Sequence, residues 1–341
     1  MIPRLDIRFP LRRQWQYWCG EEYKPQEGEY LLNHARTGIV LALKATLPNG
    51  GRVGVVAYNC HTVANAVDNA GCTPVFMDVT DELKIDLNSM SDDLDAIVVT
   101  NLFGIRNDIA AIKNRCPKAI IIVDNAHGYG LPAEGDFMVY SINQGKFPAL
   151  GPGGILVRNK RMSELENERI KTAYNALPTY TKLAQVELFI QMMAKAIAYS
   201  RCFYWLTRKM KRVNELKSEG VKGKVVMRKM SPGVSRIYRV WLPSANEAIA
   251  AQKQNAERIS GLGVSGLVDE CLLGDNAFML VAKTQKPDAL KKWFATRGVE
   301  TETHFKHAID WAKEFGYIPG TCPTAERLTR ELLMIPTYTK I

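Results

Sequence analysis

Cysteine is sparse in this sequence and follows no pattern. The seven residues, Cys19, Cys60, Cys72, Cys116, Cys202, Cys271 and Cys322, are odd in number, and no C-x-x-C pair occurs. Neither a disulfide framework nor a zinc site is implied, and no metal is expected. A reducing compartment is the corresponding expectation. No run of 18 apolar residues free of charge exists, which argues against a membrane-spanning helix. The first residues, MIPRLDIRFPLRRQWQ, lack a continuous apolar core and a small-residue cleavage site. No signal peptide is read there, and a cytoplasmic location is expected. Internal repeats and low-complexity segments are missing too, which excludes fibrous and solenoid architectures.

What is present is ordinary for a globular protein: 46% hydrophobic and 23% charged residues in a chain of 341. At roughly 100–200 residues per domain, that length allows about two domains. A chain of this size buries most of its unfolded surface without a covalent staple. The net charge of +10 favours an anionic partner. Nucleic acid, a membrane surface or a phosphorylated small molecule would all satisfy it. No recognised nucleic-acid-binding module is present, so nucleic acid is not expected.

Residues 37–157 alternate short apolar runs with helical patterns. RVGVV, PVFMD, AIVVT, AIIIV, FMVYS and GILV read as strands. TGIVLALKATL, TVANAVDNA and NDIAAIKNR read as helices, the first with its stripe at Ile39, Val40, Leu43 and Leu47. Continuous apolar strands separated by helices predict an α/β fold, a mostly parallel sheet covered on both faces. Ligands bind such sheets beyond the carboxyl ends of the strands. The pattern turns helical and basic over 161–229. A charged helix, NEAIAAQKQNAERIS, then leads into FMLVA, DALKKWFATRG and a final helix ERLTRELL. A boundary near Pro243 is expected, with a large domain over 1–243 and a small α+β domain over 244–341. GLGVSG at 261–266 matches a dinucleotide fingerprint by letter only. That motif needs a strand before it and a helix after it, and here the order is reversed.

Three segments concentrate reactive groups. AIIIV ends in Asp124, followed by Asn125, Ala126 and His127. FMVYS ends in Ser141, followed by Ile142, Asn143, Gln144, Gly145 and Lys146. Asn33, His34, Ala35 and Arg36 precede the first helix of the alternating region. A lysine, a carboxylate and an anion-binding helix start are what a pyridoxal phosphate site requires. The lysine captures the aldehyde, the carboxylate keeps the ring nitrogen protonated, and the helix start takes the phosphate.

The order of motifs along the chain resembles the DegT/DnrJ/StrS family of nucleotide-sugar aminotransferases. AYNCHTVANAVDNAGCTPVFMDV at 57–79, NLFGIRNDIAAI at 101–112, IIVDNAHGYG at 121–130 and VYSINQGKFPALGPGG at 139–154 carry the likeness. GVETETHFKHA and CPTAERLTRELLMIPTY resemble the family's closing segment. The resemblance covers about residues 30–160 and 246–341 and implies the fold type I aminotransferase architecture. It implies a pyridoxal 5′-phosphate enzyme that moves an amino group from an amino acid, L-glutamate by analogy, to a keto sugar on a nucleotide. Lys146 matches the lysine bonded to the cofactor, and Asp124 the carboxylate on the ring nitrogen. His127 matches the residue on the ring oxygen, Ser141 a serine on the phosphate, and Ala35 and Arg36 the phosphate loop. Asn143 joins the cofactor set, and His304 of the closing segment is a candidate substrate contact. The family's dehydratase branch replaces the lysine with histidine, so Lys146 speaks against it.

Three departures stand out. The family places an aromatic ring over the cofactor where this chain has Cys60, with His61 or Tyr58 as candidate substitutes. The usual phosphate loop is replaced by His34-Ala35-Arg36. An asparagine that reaches the neighbouring subunit's phosphate is matched by Lys229 in VMRKMSPG, which implies a homodimer. Within 183–229, an apolar, aromatic run, LFIQMMAKAIAYSRCFYWL, leads into 201–229, which holds ten basic residues against Glu215 and Glu219. The stretch fits a core helix with a solvated loop, an amphipathic contact with an anionic membrane, or a basic mouth for the nucleotide sugar. A cofactor-binding member of the same fold without turnover, peripheral at a membrane, is the alternative to an active transferase.

Overall fold

Strands that alternate with helices, and that are apolar on both sides, have to be sandwiched. The computed structural model describes all residues except 1, 4, 5, 7, 8, 10, 160–162, 201, 202, 205–220, 262–265 and 339–341. Seven strands form the main sheet: β1 (Glu29–Leu32), β2 (Arg52–Val56), β3 (Thr73–Met77), β4 (Ala96–Thr100), β5 (Ile120–Asn125), β6 (Phe137–Ser141) and β7 (Gly154–Arg158). Their order is β1-β7-β6-β5-β4-β2-β3. The five from β6 to β3 pair in parallel. Only β7 runs against its neighbours, β6 and β1. Alternate residues reach opposite cores. Ile97, Val99, Ile121 and Val123 belong to one core, and Ala96, Val98 and Ile122 to the other.

Helices α1 (Leu11–Trp18), α2 (Ala35–Thr46), α3 (His61–Asn69) and α4 (Ile109–Arg115) lie where expected or, for α1, where no element was expected. The buried residues of α2 and α3 share a core with Val53, Val55 and Val139. α5 (Glu164–Asn175) and α6 (Lys182–Ala198) follow the sheet. α6 is a core helix on one side only. Leu188 and Met192 are buried, whereas Leu183, Val186, Ile190 and Ile197 are exposed. Arg201, Arg208, Lys209, Lys211, Arg212, Lys217, Glu215 and Glu219 lie outside the described residues, as does most of GLGVSG. Residues 222–229, by contrast, are described and carry no helix. Among the described residues no helix is long and apolar enough to cross a membrane.

Beyond α7 (Pro232–Trp241), a single turn at Leu242–Ser244 leads into α8 (Ala245–Ser260). A second sheet follows, built from β8 (Glu270–Leu273), β9 (Met279–Lys283) and β10 (Leu332–Pro336), antiparallel in the order β10-β9-β8. α9 (Pro287–Thr296), α10 (Ala308–Lys313) and α11 (Pro323–Glu331) accompany it. The expected helix ERLTRELL is therefore two residues too long. Leu332 and Leu333 pair with Lys283 and Ala282 and are fully buried. Burial of the apolar run LLMIP against β9 overrides the helix propensity of its leucines.

Candidate active site

The carboxyl ends of β4, β5 and β6 and the start of α2 enclose a cavity of about 220 Å³. Ala35, Arg36, Cys60, Asp124, His127, Ser141, Asn143 and Lys146 all line it. Residues more than a hundred positions apart are brought together because parallel strands end at one edge of the sheet.

Asp124 is the last but one residue of β5 and is almost completely buried. Burial pushes its carboxyl above the usual range; the Ala126 N–H, the charge of Lys146 and the Thr100 hydroxyl oppose that rise. The Ala126 N–H donates to Oδ1 at 2.9 Å. Thr100, at the end of β4, accepts from Asn59 Nδ2 at 2.9 Å, which leaves its own proton for the carboxylate. An Asn59–Thr100–Asp124 chain thus orients the acid.

His127 is held in an aromatic slot. Phe103 stacks on it at 5.2 Å and Phe278 at 4.8 Å, each within about 25° of parallel. The Phe103 N–H donates to Nδ1 at 3.2 Å. That contact comes from a left-handed backbone, φ +53° at Phe103, which is rare for a bulky residue. The next residue, Gly104 (φ +83°), has no room for a side chain: a Cβ would lie 2.1 Å from Asn276 Oδ1. Asn276 in turn donates from Nδ2 to the His127 carbonyl at 2.8 Å.

Lys146 Nζ lies 2.7 Å from His127 Nε2. Since Nδ1 accepts a hydrogen bond, the proton of the neutral imidazole sits on Nε2. Nε2–H is then directed at the lysine nitrogen. Burial lowers the Lys146 pKa against the opposing pull of Cys60 and Asp124. Burial, with help from Lys146 and His304, holds His127 well below its ordinary value. The lysine loop is pinned from below by a hydrogen bond from the Gly145 N–H to the Asp6 carbonyl, 2.9 Å.

The opposite end of the cavity is cationic. His34 is the N-cap of α2 but makes no capping bond with its side chain, and the first N–H groups of a helix have no acceptor within it. The loop sits directly on β7. A Cβ at Gly154 would come 2.2 Å from the His34 carbonyl carbon and 2.3 Å from the Ala35 nitrogen. Burial, then the charges of Arg36 and Lys195, lower the His34 pKa to about 4. Burial and Arg36 also lower that of His61.

Two expected residues stand apart from this cavity. Lys229 bridges Leu32 at the edge of its own sheet, and its Nζ lies over the Tyr174 ring at 4.9 Å. His304 is behind the wall, its ring 5.9 Å from His127 and its carbonyl accepting from the Tyr58 hydroxyl at 2.9 Å. Neither substitute for the missing aromatic lines the cavity: Tyr58 is fully buried, and His61 packs edge-on against Trp311. Cys60 itself does line it, with its sulfur 3.1 Å from the Thr62 hydroxyl. Sequence reasoning missed Asn59, Thr62, Thr100 and Phe305 in the lining, and Lys195 beside it. Thr100 was legible as the polar end of an apolar strand. Phe305 and Lys195 arrive from distant segments with no local signal.

The lining groups suit one kind of ligand: an aldehyde for the Lys146 amine, a protonated ring nitrogen for Asp124, and a phosphate for the cationic loop. Residues 31–176 match the model of the DegT/DnrJ/EryC1/StrS aminotransferase family. The fold is similar to that of Spr1654 from Streptococcus pneumoniae, described as a sugar aminotransferase and solved in its PMP form. That similarity has a TM-score of 0.73 at 14% identity, over 99% of this chain and 94% of that one. The sugar aminotransferase CalS13 from Micromonospora echinospora gives 0.71 at 16%, over 99% and 95%. The aminotransferase TlmJ from Streptoalloteichus hindustanus gives 0.67 at 20%, over 97% and 86%.

Proposed function

We propose that this chain is a pyridoxal 5′-phosphate-dependent aminotransferase that transfers an amino group, from L-glutamate by family analogy, to a keto sugar carried on a nucleotide. The observation that carries it is the buried Lys146 amine beside Asp124 and His127, with a cationic helix start at the other end of the same cavity. The family match over this region and the names of the similar structures support it. When bound, the cofactor would supply an aldehyde for amine capture and a ring that stabilises negative charge at the donor's α-carbon.

The protein's own groups would do the rest. Asp124 would hold the proton on the ring nitrogen. Thr100 and Asn59 keep that carboxylate aimed. His127 would donate from Nε2 to the ring oxygen, its tautomer set by the Phe103 N–H. Ala35, Arg36, Ser141 and Asn143 would bind the phosphate. Lys146 Nζ would act as the base toward the donor's α-proton. Closure of the cavity would exclude water from the exchange.

The working unit in this proposal is a homodimer, with Lys229 serving the neighbouring chain's phosphate, and the chain divides at about residue 243. The exposed apolar row on α6 supports association, since such patches mark interaction surfaces. The decisive experiment is spectroscopic. Purified protein mixed with pyridoxal 5′-phosphate should turn yellow, borohydride should fix the label on Lys146, and glutamate should bleach the colour with release of a 2-oxo acid. A label on another lysine, or no label, refutes the assignment. An active monomer by light scattering refutes the dimer.

A further inference from the structure

We propose that Phe305, reaching in from the loop before α10, provides the contact to the cofactor's ring face that Cys60 is too small to make. The proposal rests on the cofactor reading above. Phe305 is in the cavity wall with Cys60, and its backbone is left-handed, φ +54°. A bulky residue adopts that conformation only where its surroundings impose it, and such outliers gather at ligand sites. Glycine would satisfy the same backbone without strain, so it is the side chain that the position needs.

The surroundings set the ring's orientation. Tyr58 meets it edge-on at 5.6 Å, and the Tyr58 hydroxyl anchors the preceding carbonyl, that of His304. The Ala308 N–H donates to the Phe305 carbonyl at 2.9 Å. The Phe305 ring lies within 13° of the His127 plane, with centroids 6.0 Å apart. A hydrogen bond from Nε2–H leaves in the plane of the imidazole. An aromatic ligand that accepts this bond with its ring coplanar to the imidazole would lie nearly parallel to Phe305, an arrangement that aromatic pairs favour when offset. Phe103 and Phe305, 6.0 Å apart, are both strained phenylalanines against His127, the first supplying a backbone N–H and the second a ring face.

The test compares two ligands. The dissociation constants of pyridoxal 5′-phosphate and of inorganic phosphate are measured for the wild type and for Phe305→Leu, Phe305→Met and Phe305→Tyr. Leu and Met keep apolar volume without the ring, and should weaken the cofactor about 3- to 10-fold while leaving inorganic phosphate unchanged. Tyr keeps the ring and should stay within about 2-fold of wild type for both. Unchanged cofactor affinity in Phe305→Leu and Phe305→Met overturns the proposal. Parallel weakening of both ligands also overturns it, because Phe305 would then be a core residue alone. A wild type that binds inorganic phosphate but no cofactor overturns the functional reading itself, and this proposal with it.

Discussion

The two ends of the cavity are built on opposite terms. At the Asp124 end, the acid, the imidazole and the amine complete one another: Asn59 and Thr100 orient Asp124, the Phe103 N–H fixes His127, and His127 meets Lys146. At the helix start, Arg36 lines the wall with Lys195 near it, burial and these two charges together hold His34 neutral, and Asp124 is the only acid among the described lining residues. A chemical centre must be oriented before its ligand arrives, so it is satisfied internally. An anchor for a charged group instead concentrates one sign of charge and leaves the ligand to neutralise it. The first end should govern rate, and the second affinity and pH response.

Lys146→Ala is the most drastic way to sharpen that division. It should abolish amine exchange, by about 10⁴-fold or more, while the phosphate end still retains cofactor; an exchange assay beside an absorbance titration reads both. Asp124→Asn comes next. It should cost about 10²- to 10³-fold in turnover, the scale for one preorganised electrostatic group, with the cofactor still bound. Turnover near normal in this variant would place the working acid elsewhere.

Arg36→Ala acts at the other end. A charged hydrogen bond to phosphate contributes about 1.5–3 kcal/mol, so cofactor affinity should fall roughly 10- to 150-fold. Turnover at saturating cofactor should hardly move. Arg36→Lys should recover part of the loss, since an ammonium lacks the planar fork. Equal affinity in wild type and Arg36→Ala would break the comparison, because backbone groups alone would then hold the phosphate.

The smallest effect is on stability. His34 takes a proton near 6.5 when unfolded but only near 4 when folded. The unfolded chain therefore binds more protons between those values, and His34's contribution, present at pH 7, drains as pH falls. Of the stability lost between pH 7 and 5, about 2 kcal/mol should trace to His34. Denaturant unfolding of His34→Gln at both pH values should show a drop smaller by that amount. His127 shifts in the same direction and remains in both proteins, so only the difference between them is diagnostic.

The main sheet was readable because its strands are apolar on both faces and its helices keep their stripes. What escaped was decided by partners. β10 is a strand because β9 lies beside it, and α1, with 8 residues, and β1, with 4, are short elements. The run LFIQMMAKAIA of α6 reads as largely apolar, yet only the face with Leu188 and Met192 is covered. In the site, the residues after β5 and β6 were legible because they follow strand ends in a recognisable order. Phe305 and Lys195 were not, since nothing local marks a loop or a helix face that folds back over a distant sheet edge.

By itself the sequence determined which groups the chain holds and in what order: a lysine five residues past one strand's last serine, an acid at the end of another, cations at a helix start. Periodicity and chain order carry that much, because strand ends of a parallel sheet share one edge. Only the tertiary structure decided the states of these groups. His127 directs Nε2–H at Lys146 because Phe103, on a strained turn 43 positions before that lysine, takes the Nδ1 lone pair with its N–H. Protonation depends on burial and on hydrogen-bond direction, and both exist only once the segments meet.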